Sequence, residues 1–250
     1  MKIVILGSGN VAFHLAKALH QNQIPVAQVF GRNEEALAQI SGLFNIPFST
    51  ENIGDADLYL IAVNDDSISD ISTKITKKDC IVAHTSGSLP IDVLTGSYRK
   101  ASFYPLQTFS KSKSLNYSEI PFFVECENAD DQKTLENLAH KISEKVMSSD
   151  FEKRKYIHLT AVFSCNFVNH LFARAREISD AQNIPFDYFL PLIEETTSKI
   201  RELEPKAAQT GPAVRNDTRI LEIHESLITN PEQLQIYRTM NASIKKMYEL

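Results

Sequence analysis

The chain has 250 residues, 43% of them hydrophobic, enough for one large core or two modest ones. Charged residues make up 23%, acids exceed bases by 31 to 26, and no long run of like charge occurs, so the electrostatic footprint of a nucleic-acid binder is missing. No apolar stretch approaches the roughly 20 residues of a membrane span. The N-terminus runs straight into strand-like Met1-Lys2-Ile3-Val4 without a signal-peptide pattern. Cys80, Cys126 and Cys165 form no Cys-x-x-Cys pair. The expectation is a cytoplasmic protein with no nucleic acid, membrane, disulfide or zinc cluster.

Short apolar runs alternate with helical patterns through residue 150. The runs are Ile3 to Leu6, Val26 to Phe30, Leu58 to Val63, Ile81 to Ala83, Phe122 to Cys126 and a weaker Lys145 to Ser148. Between the first two, Val11, Leu15 and Leu19 recur at helical spacing, while Ala12, Ala16 and Ala18 keep the helix thin enough to pack on a sheet. Glu34 to Ser41, Ser67 to Ile75 and Asp131 to Ser143 read as further helices. This alternation predicts an α/β fold with a doubly wound, Rossmann-like parallel sheet over residues 1–150.

After Phe151 the strand signals stop. Helical patterns cover roughly Phe151 to Ser179, Pro185 to Leu203, Thr218 to Ile228 and Pro231 to Tyr248, predicting an all-helical domain over 151–250. The first of these helices is apolar nearly all round: Tyr156, Leu159, Phe163, Phe167 and Leu171 form one stripe and Ala161, Val162, Cys165, Val168 and Phe172 the other side. Such a helix is expected to be buried on all sides, with a second subunit as one source of cover.

Gly7-Ser8-Gly9-Asn10-Val11-Ala12 follows an apolar strand and opens a small-residue helix, the context in which a Gly-x-Gly-x-x-Ala run binds a dinucleotide. Gly7 permits the turn, Gly9 admits a pyrophosphate close to the backbone, and Ala12 lets strand and helix pack. Where the second strand should end, Gly31-Arg32-Asn33 offers an arginine for a 2′-phosphate instead of an acid for ribose hydroxyls, which favours NADP(H) over NAD. Val63-Asn64 and Thr85 lie at two more strand ends facing the same crevice. Asp65 or Asp66 is expected to cap the next helix, and His84 to be a buried, hydrogen-bonded core histidine.

Ser86, His158 and Asn166 are candidate donors for catalysis, and Tyr104, Asn169 and Arg215 for substrate contact. On an ideal α-helix Asn166, Asn169 and His170 are neighbours, and His158 lies about 20° from Asn169. Of the three catalytic candidates, only His158 has a side chain whose ordinary pKa suits general acid work near neutrality. The histidines lack metal-ligand spacing with acids, so no metal is expected.

Together GSGNVA, GRN, AVND, HTSG, YPLQTF, NFVNH and QTGPAVRND resemble a family of predicted NADP oxidoreductases that join a Rossmann-like domain to a helical domain of unknown function. That family is similar to deazaflavin-dependent NADP oxidoreductases and distantly to pyrroline-5-carboxylate reductase and the 6-phosphogluconate and 3-hydroxyacid dehydrogenases. The resemblance implies that the helical domain forms a homodimer and that Gly7 to Val11 and Arg32 hold the NADP phosphates. It does not carry over the hydroxyacid dehydrogenases' catalytic lysine, because Val162 stands four residues before Asn166. The Thr- and Pro-containing loop of pyrroline-5-carboxylate reductase has only a loose analogue in Thr210-Gly211-Pro212. The expected activity is hydride transfer to or from a small C=N or C=O substrate. A non-catalytic NADP-binding redox sensor or interaction protein is the alternative, and a methyltransferase is disfavoured by Arg32.

Overall fold

Strand β1 (Ile3–Leu6) is apolar and buried at every position, as the centre of a sheet covered on both faces requires. Helix α1 (Asn10–Gln21) lies close to it because Ala12, Ala16 and Ala18 are at most 1% exposed. Strand β2 (Val26–Phe30) leads to α2 (Glu34–Phe44), which Asn33 caps by accepting a hydrogen bond from the Ala36 amide at 3.0 Å. Then come β3 (Phe48–Ser49), β4 (Leu58–Ile61), a 3₁₀ turn over Asp65–Ser67, and the short α3 (Ile68–Ser72). Strands β5 (Ile81–His84), β6 (Arg99–Pro105) and β7 (Phe122–Cys126) precede α4 (Ala129–His140) and β8 (Val146–Ser148).

The computed structural model describes all 250 residues. Its sheet has the order β3-β2-β1-β4-β5-β6-β7-β8, and the chain direction of strand addition reverses at β1/β4. Odd and even residues of β1 serve opposite faces: Ile3 and Ile5 pack with α1, whereas Val4 and Leu6 pack with Tyr59, Ile61 and Ile68. Two features depart from the sequence expectation. Strand β6 is a full member of the sheet although it starts with Arg99-Lys100 and ends in proline, and β7 runs antiparallel to it, so the sheet is mostly rather than wholly parallel. The predicted helix over 67–75 is reduced to the 3₁₀ turn and α3.

The first compact unit spans Met1–Asn166 and therefore includes α5 (Phe151–Ala161). A π-helical segment, Val162–Phe167, follows α5. The second unit, Phe167–Leu250, contains α6 (Val168–Ala181), α7 (Leu190–Lys199), α8 (Pro205–Ala208), α9 (Thr218–Leu227) and α10 (Pro231–Met247). Arg174 on α6 ties this unit together by pairing with Glu177 and with Glu232 on α10. No helix is long and apolar enough to cross a membrane.

Within one copy of the chain the long apolar helix is not covered all round. Tyr156 is 64% exposed, Phe163 62% and Leu159 48%, because a single copy of the chain does not supply enough surface to cover them.

Candidate functional site

The carboxyl ends of β1, β2 and β4 stop at one level, since Leu6 is paired in register with Phe30 and with Ile61. The ladder continues one bond further on each side: the Gly7 amide donates to Phe30 O and the Ala62 amide to Leu6 O, both at 2.7 Å. Gly7 sits at φ +139°, and a Cβ built there would lie 2.8 Å from the Ala62 carbonyl carbon and closer still to its oxygen. Glycine is the residue that fits. Gly9 differs, with φ −78° and no atom within 4 Å of where its Cβ would be.

Gly9 is also the N-cap of α1, and no side chain caps this helix and no acid stands in its first turn. By contrast, Asn33, Asn128, Asp150, Asp217 and Asn230 cap α2, α4, α5, α9 and α10. The amides at the start of α1 are thus left for an external acceptor, with the positive end of the helix dipole behind them.

A cavity of about 450 Å³ opens over these strand ends, lined by Gly7, Ser8, Gly9, Gly31, Arg32, Asn33, Val63 and Asn64, all expected from sequence. Asn10, Val11 and Thr85 do not line it. The Asn10 amide donates to Phe109 O at 2.9 Å, Val11 packs on the core, and the Thr85 hydroxyl donates to Ile61 O at 3.1 Å. Missed in the sequence were Thr50, beyond β3, and Ser67, Asp70, Ile71 and Lys74. The last four recur at i, i+3, i+4 and i+7, one face of the helical pattern expected over residues 67–75.

Two strands along the same edge, about 10 Å from β4 at ordinary strand spacing, a second cavity of about 600 Å³ lies at the end of β6. Tyr104, Gln107, His158 and Asn166 are among its walls. The Tyr104 hydroxyl is 3.0 Å from His158 Nδ1. Burial pushes the Tyr104 phenol up to about 12, against the pull of the Arg154 cation. The two groups can exchange roles: when the phenol donates to Nδ1 the ring proton sits on His158 Nε2, and when Nδ1–H donates the phenol oxygen accepts. Gly87, from the HTSG motif, makes this pairing possible: a Cβ there would come within 2.7 Å of Tyr104 Cζ and 2.8 Å of His158 Nδ1.

The π segment brings Asn166 to the same cavity. On an ideal α-helix eight residues rotate Asn166 about 80° away from His158; the wider i→i+5 turns under-rotate the chain and return it to the same side. Asn169 and His170, expected beside Asn166 on the sequence reading, lie on α6 (Val168–Ala181). Both are exposed in the second unit, where His170 Nε2 accepts from Arg174 Nε at 3.4 Å. Arg215 is exposed in the same unit, two residues before the capping Asp217.

Ser86 is 7% exposed, and its hydroxyl donates to Asp65 Oδ2 at 3.0 Å while accepting from the Ser88 amide at 3.0 Å. It does not line the cavity. Asp65 is thereby engaged with Ser86, and neither Asp65 nor Asp66 caps the following turn.

His84 is fully buried, as expected. Its Nδ1 accepts from the Ser86 amide at 3.2 Å, and Nε2 has no hydrogen-bond partner. Burial first, then the nearby Arg154 cation, depress its pKa to about 3, with a weak opposing effect of the Pro90 carbonyl. Arg154 itself is wholly buried, forms a short ion pair with Glu125 and donates to Leu89 O at 2.5 Å. Standing one turn before His158 on α5, it was not singled out in the sequence, where it reads as one basic residue in Lys153-Arg154-Lys155.

This topology, with an uncapped glycine-loop helix at the switch point, defines a Rossmann-like dinucleotide-binding fold followed by a helical unit. The family described as Domain of unknown function (DUF2520) matches residues 120–244, and the chain belongs to it. A solved protein of Bacteroides fragilis, provisionally designated an NADP oxidoreductase, is 37% identical over 100% of this chain and 98% of its own, with a TM-score of 0.93. A Thermotoga maritima protein shares 19% identity at a TM-score of 0.84, covering 99% of this chain and 100% of its own. The fold also resembles a reductive aminase from Aspergillus terreus solved with NADPH and ethyl levulinate, at 11% identity, a TM-score of 0.73 and coverage of 98% and 92%. No curated protein matches the chain.

Proposed function

We propose that the protein is an NADP(H)-dependent oxidoreductase that moves a hydride to or from a small substrate with a C=N or C=O bond, and that it works as a homodimer through its helical unit. The observation that carries the reading is the cavity at the β1/β4 switch point, where Gly9 presents uncapped helix amides and open space while Arg32 stands on the wall. Arg32 offers a planar fork to a 2′-phosphate. Asn33 spends its carbonyl oxygen on capping α2, so its amide NH₂ is what it offers to the cavity. When bound, the reduced nicotinamide supplies the hydride.

In this reading the substrate occupies the cavity at the end of β6. The chain's own contribution there is an N–H donor at His158, whose ring is positioned by the Tyr104 hydroxyl at Nδ1 and which polarises the C=N or C=O of the substrate. Asn166 presents a second polar group on the same wall and orients the substrate. Of the three donors expected from sequence, His158 and Asn166 stay in the proposal. Ser86 is engaged with Asp65 and leaves the proposal. The paired Tyr104 and His158 favour an enzyme over a non-catalytic sensor, since a sensor needs no oriented N–H donor. Homodimerisation is supported by the apolar side chains of the helical unit, such as Leu192 at 64% and Leu227 at 72% exposure.

The test is calorimetric titration with NADPH and NADH, on the parent and on Arg32→Ala. NADPH should bind at least tenfold more tightly than NADH, and the variant should lose that preference. Absence of binding of either nucleotide at millimolar concentration ends the proposal.

A further inference from the structure

We infer that the cavity at the end of β6 selects a small monocarboxylic acid, with Lys153 as the cation that receives the carboxylate. The inference rests on the reading of this cavity as the substrate site and adds the chemical class of what enters it.

The chain as a whole carries a net charge of −5, yet no aspartate or glutamate lines this cavity. Lys153 does line it, and its ammonium makes no ion pair, although its neighbours Arg154 and Lys155 are paired with Glu125 and Glu152. The neutral polar groups point to the same kind of ligand. The Gln107 side-chain oxygen accepts from the Thr108 amide at 2.8 Å, and its NH₂ makes no hydrogen bond within the chain and is available as a donor. His158 presents Nε2, which carries the ring proton when Tyr104 donates to Nδ1. Asn166, also on the wall, contributes a side-chain amide.

A cavity that gathers N–H donors and one cation, without a carboxylate to balance them, is complementary to an acceptor-rich anion. One ammonium, with no arginine fork on this wall and the α5 N-terminus already capped by Asp150, suits a single negative charge better than a phosphate dianion. Leu106, Ile157 and Ala161 give the wall an apolar part that accommodates a short hydrocarbon body, beside the uncharged hydroxyls of Thr108, Thr160 and Ser164. The substrate is thus a carboxylate on a small apolar frame, bearing the C=O or C=N that is reduced.

The experiment uses the full chain and begins with NADPH titration of each preparation, so that a failed cofactor reading is seen as such. Protein saturated with NADP⁺ is then titrated with pyruvate, 4-methyl-2-oxopentanoate and phenylpyruvate, and with the methyl ketones in which a methyl group replaces each carboxylate. At least one acid should bind tenfold or more tightly than its ketone. Lys153→Ala should bring the two within twofold, Lys153→Arg should keep most of the preference, and both should bind NADPH as the parent does. If the parent binds NADPH and no acid is preferred over its ketone, the inference is overturned. It is equally overturned if the preference survives in Lys153→Ala.

Discussion

Two glycines two residues apart should respond oppositely to the same methyl group. In Gly7→Ala the new Cβ meets the Ala62 carbonyl, in a backbone conformation at φ +139° that side-chain-bearing residues rarely adopt. The backbone term alone is worth about 1–3 kcal/mol, and the overlap with β4 adds to it. A total near 3 kcal/mol lowers the melting temperature of a domain this size by about 6–12 °C. In Gly9→Ala the conformation is ordinary and the Cβ meets nothing within 4 Å, so only the N-cap preference is lost, less than about 1 kcal/mol. That same methyl projects into the space where a pyrophosphate would approach the α1 amides. NADPH affinity should fall at least tenfold, about 1.4 kcal/mol. Thermal denaturation without ligand and calorimetry with NADPH separate the two effects. A Gly9→Ala protein that binds NADPH within twofold of the parent would refute the assignment of this loop to the phosphates.

Arg154→Met removes the guanidinium from a wholly buried position and strands Glu125 and the Leu89 carbonyl. The expected loss is about 3–5 kcal/mol by urea denaturation, partly recovered when Glu125→Leu is added; a loss below about 1 kcal/mol would show that the pair is solvated. His84 gives a pH dependence whose sign follows from its depressed pKa. Between its ordinary value of 6.5 and the folded value of about 3, the unfolded chain binds a proton that the folded chain does not, so stability falls as pH falls through this window. The loss attributable to His84 is about 2 kcal/mol between pH 8 and pH 5, and His14, also depressed by burial, acts in the same direction. Urea midpoints across that range should slope less in His84→Asn; equal slopes would count against a neutral, buried ring.

Local information was enough for what depends on neighbours in the chain. The spacing of Val11, Leu15 and Leu19, the alanines between them and the glycines before them specify strand, turn and thin helix within some twenty residues, which is why part of the lining of the cavity at these strand ends lies in that motif. Strand β6 was harder to see because its pattern is broken by Arg99-Lys100 and Pro105, and it becomes a strand through its partners β5 and β7.

What the sequence by itself determined is the Rossmann-like half of the molecule, the helical character of the remainder, and the position of Gly9 and Arg32 at one strand edge. These follow from periodicity and backbone sterics, which act over a few residues. The tertiary structure decided which polar groups meet. It joined Tyr104 to His158 across fifty-four positions in the chain, required Gly87 to be bare so that they could meet, and buried Arg154 against Glu125. It also underwound one helix so that Asn166 shares a wall with His158. A hydrogen bond or ion pair between distant residues is made by the packing of whole elements, and no short-range pattern records which of several polar side chains that packing will bring within 3 Å of another.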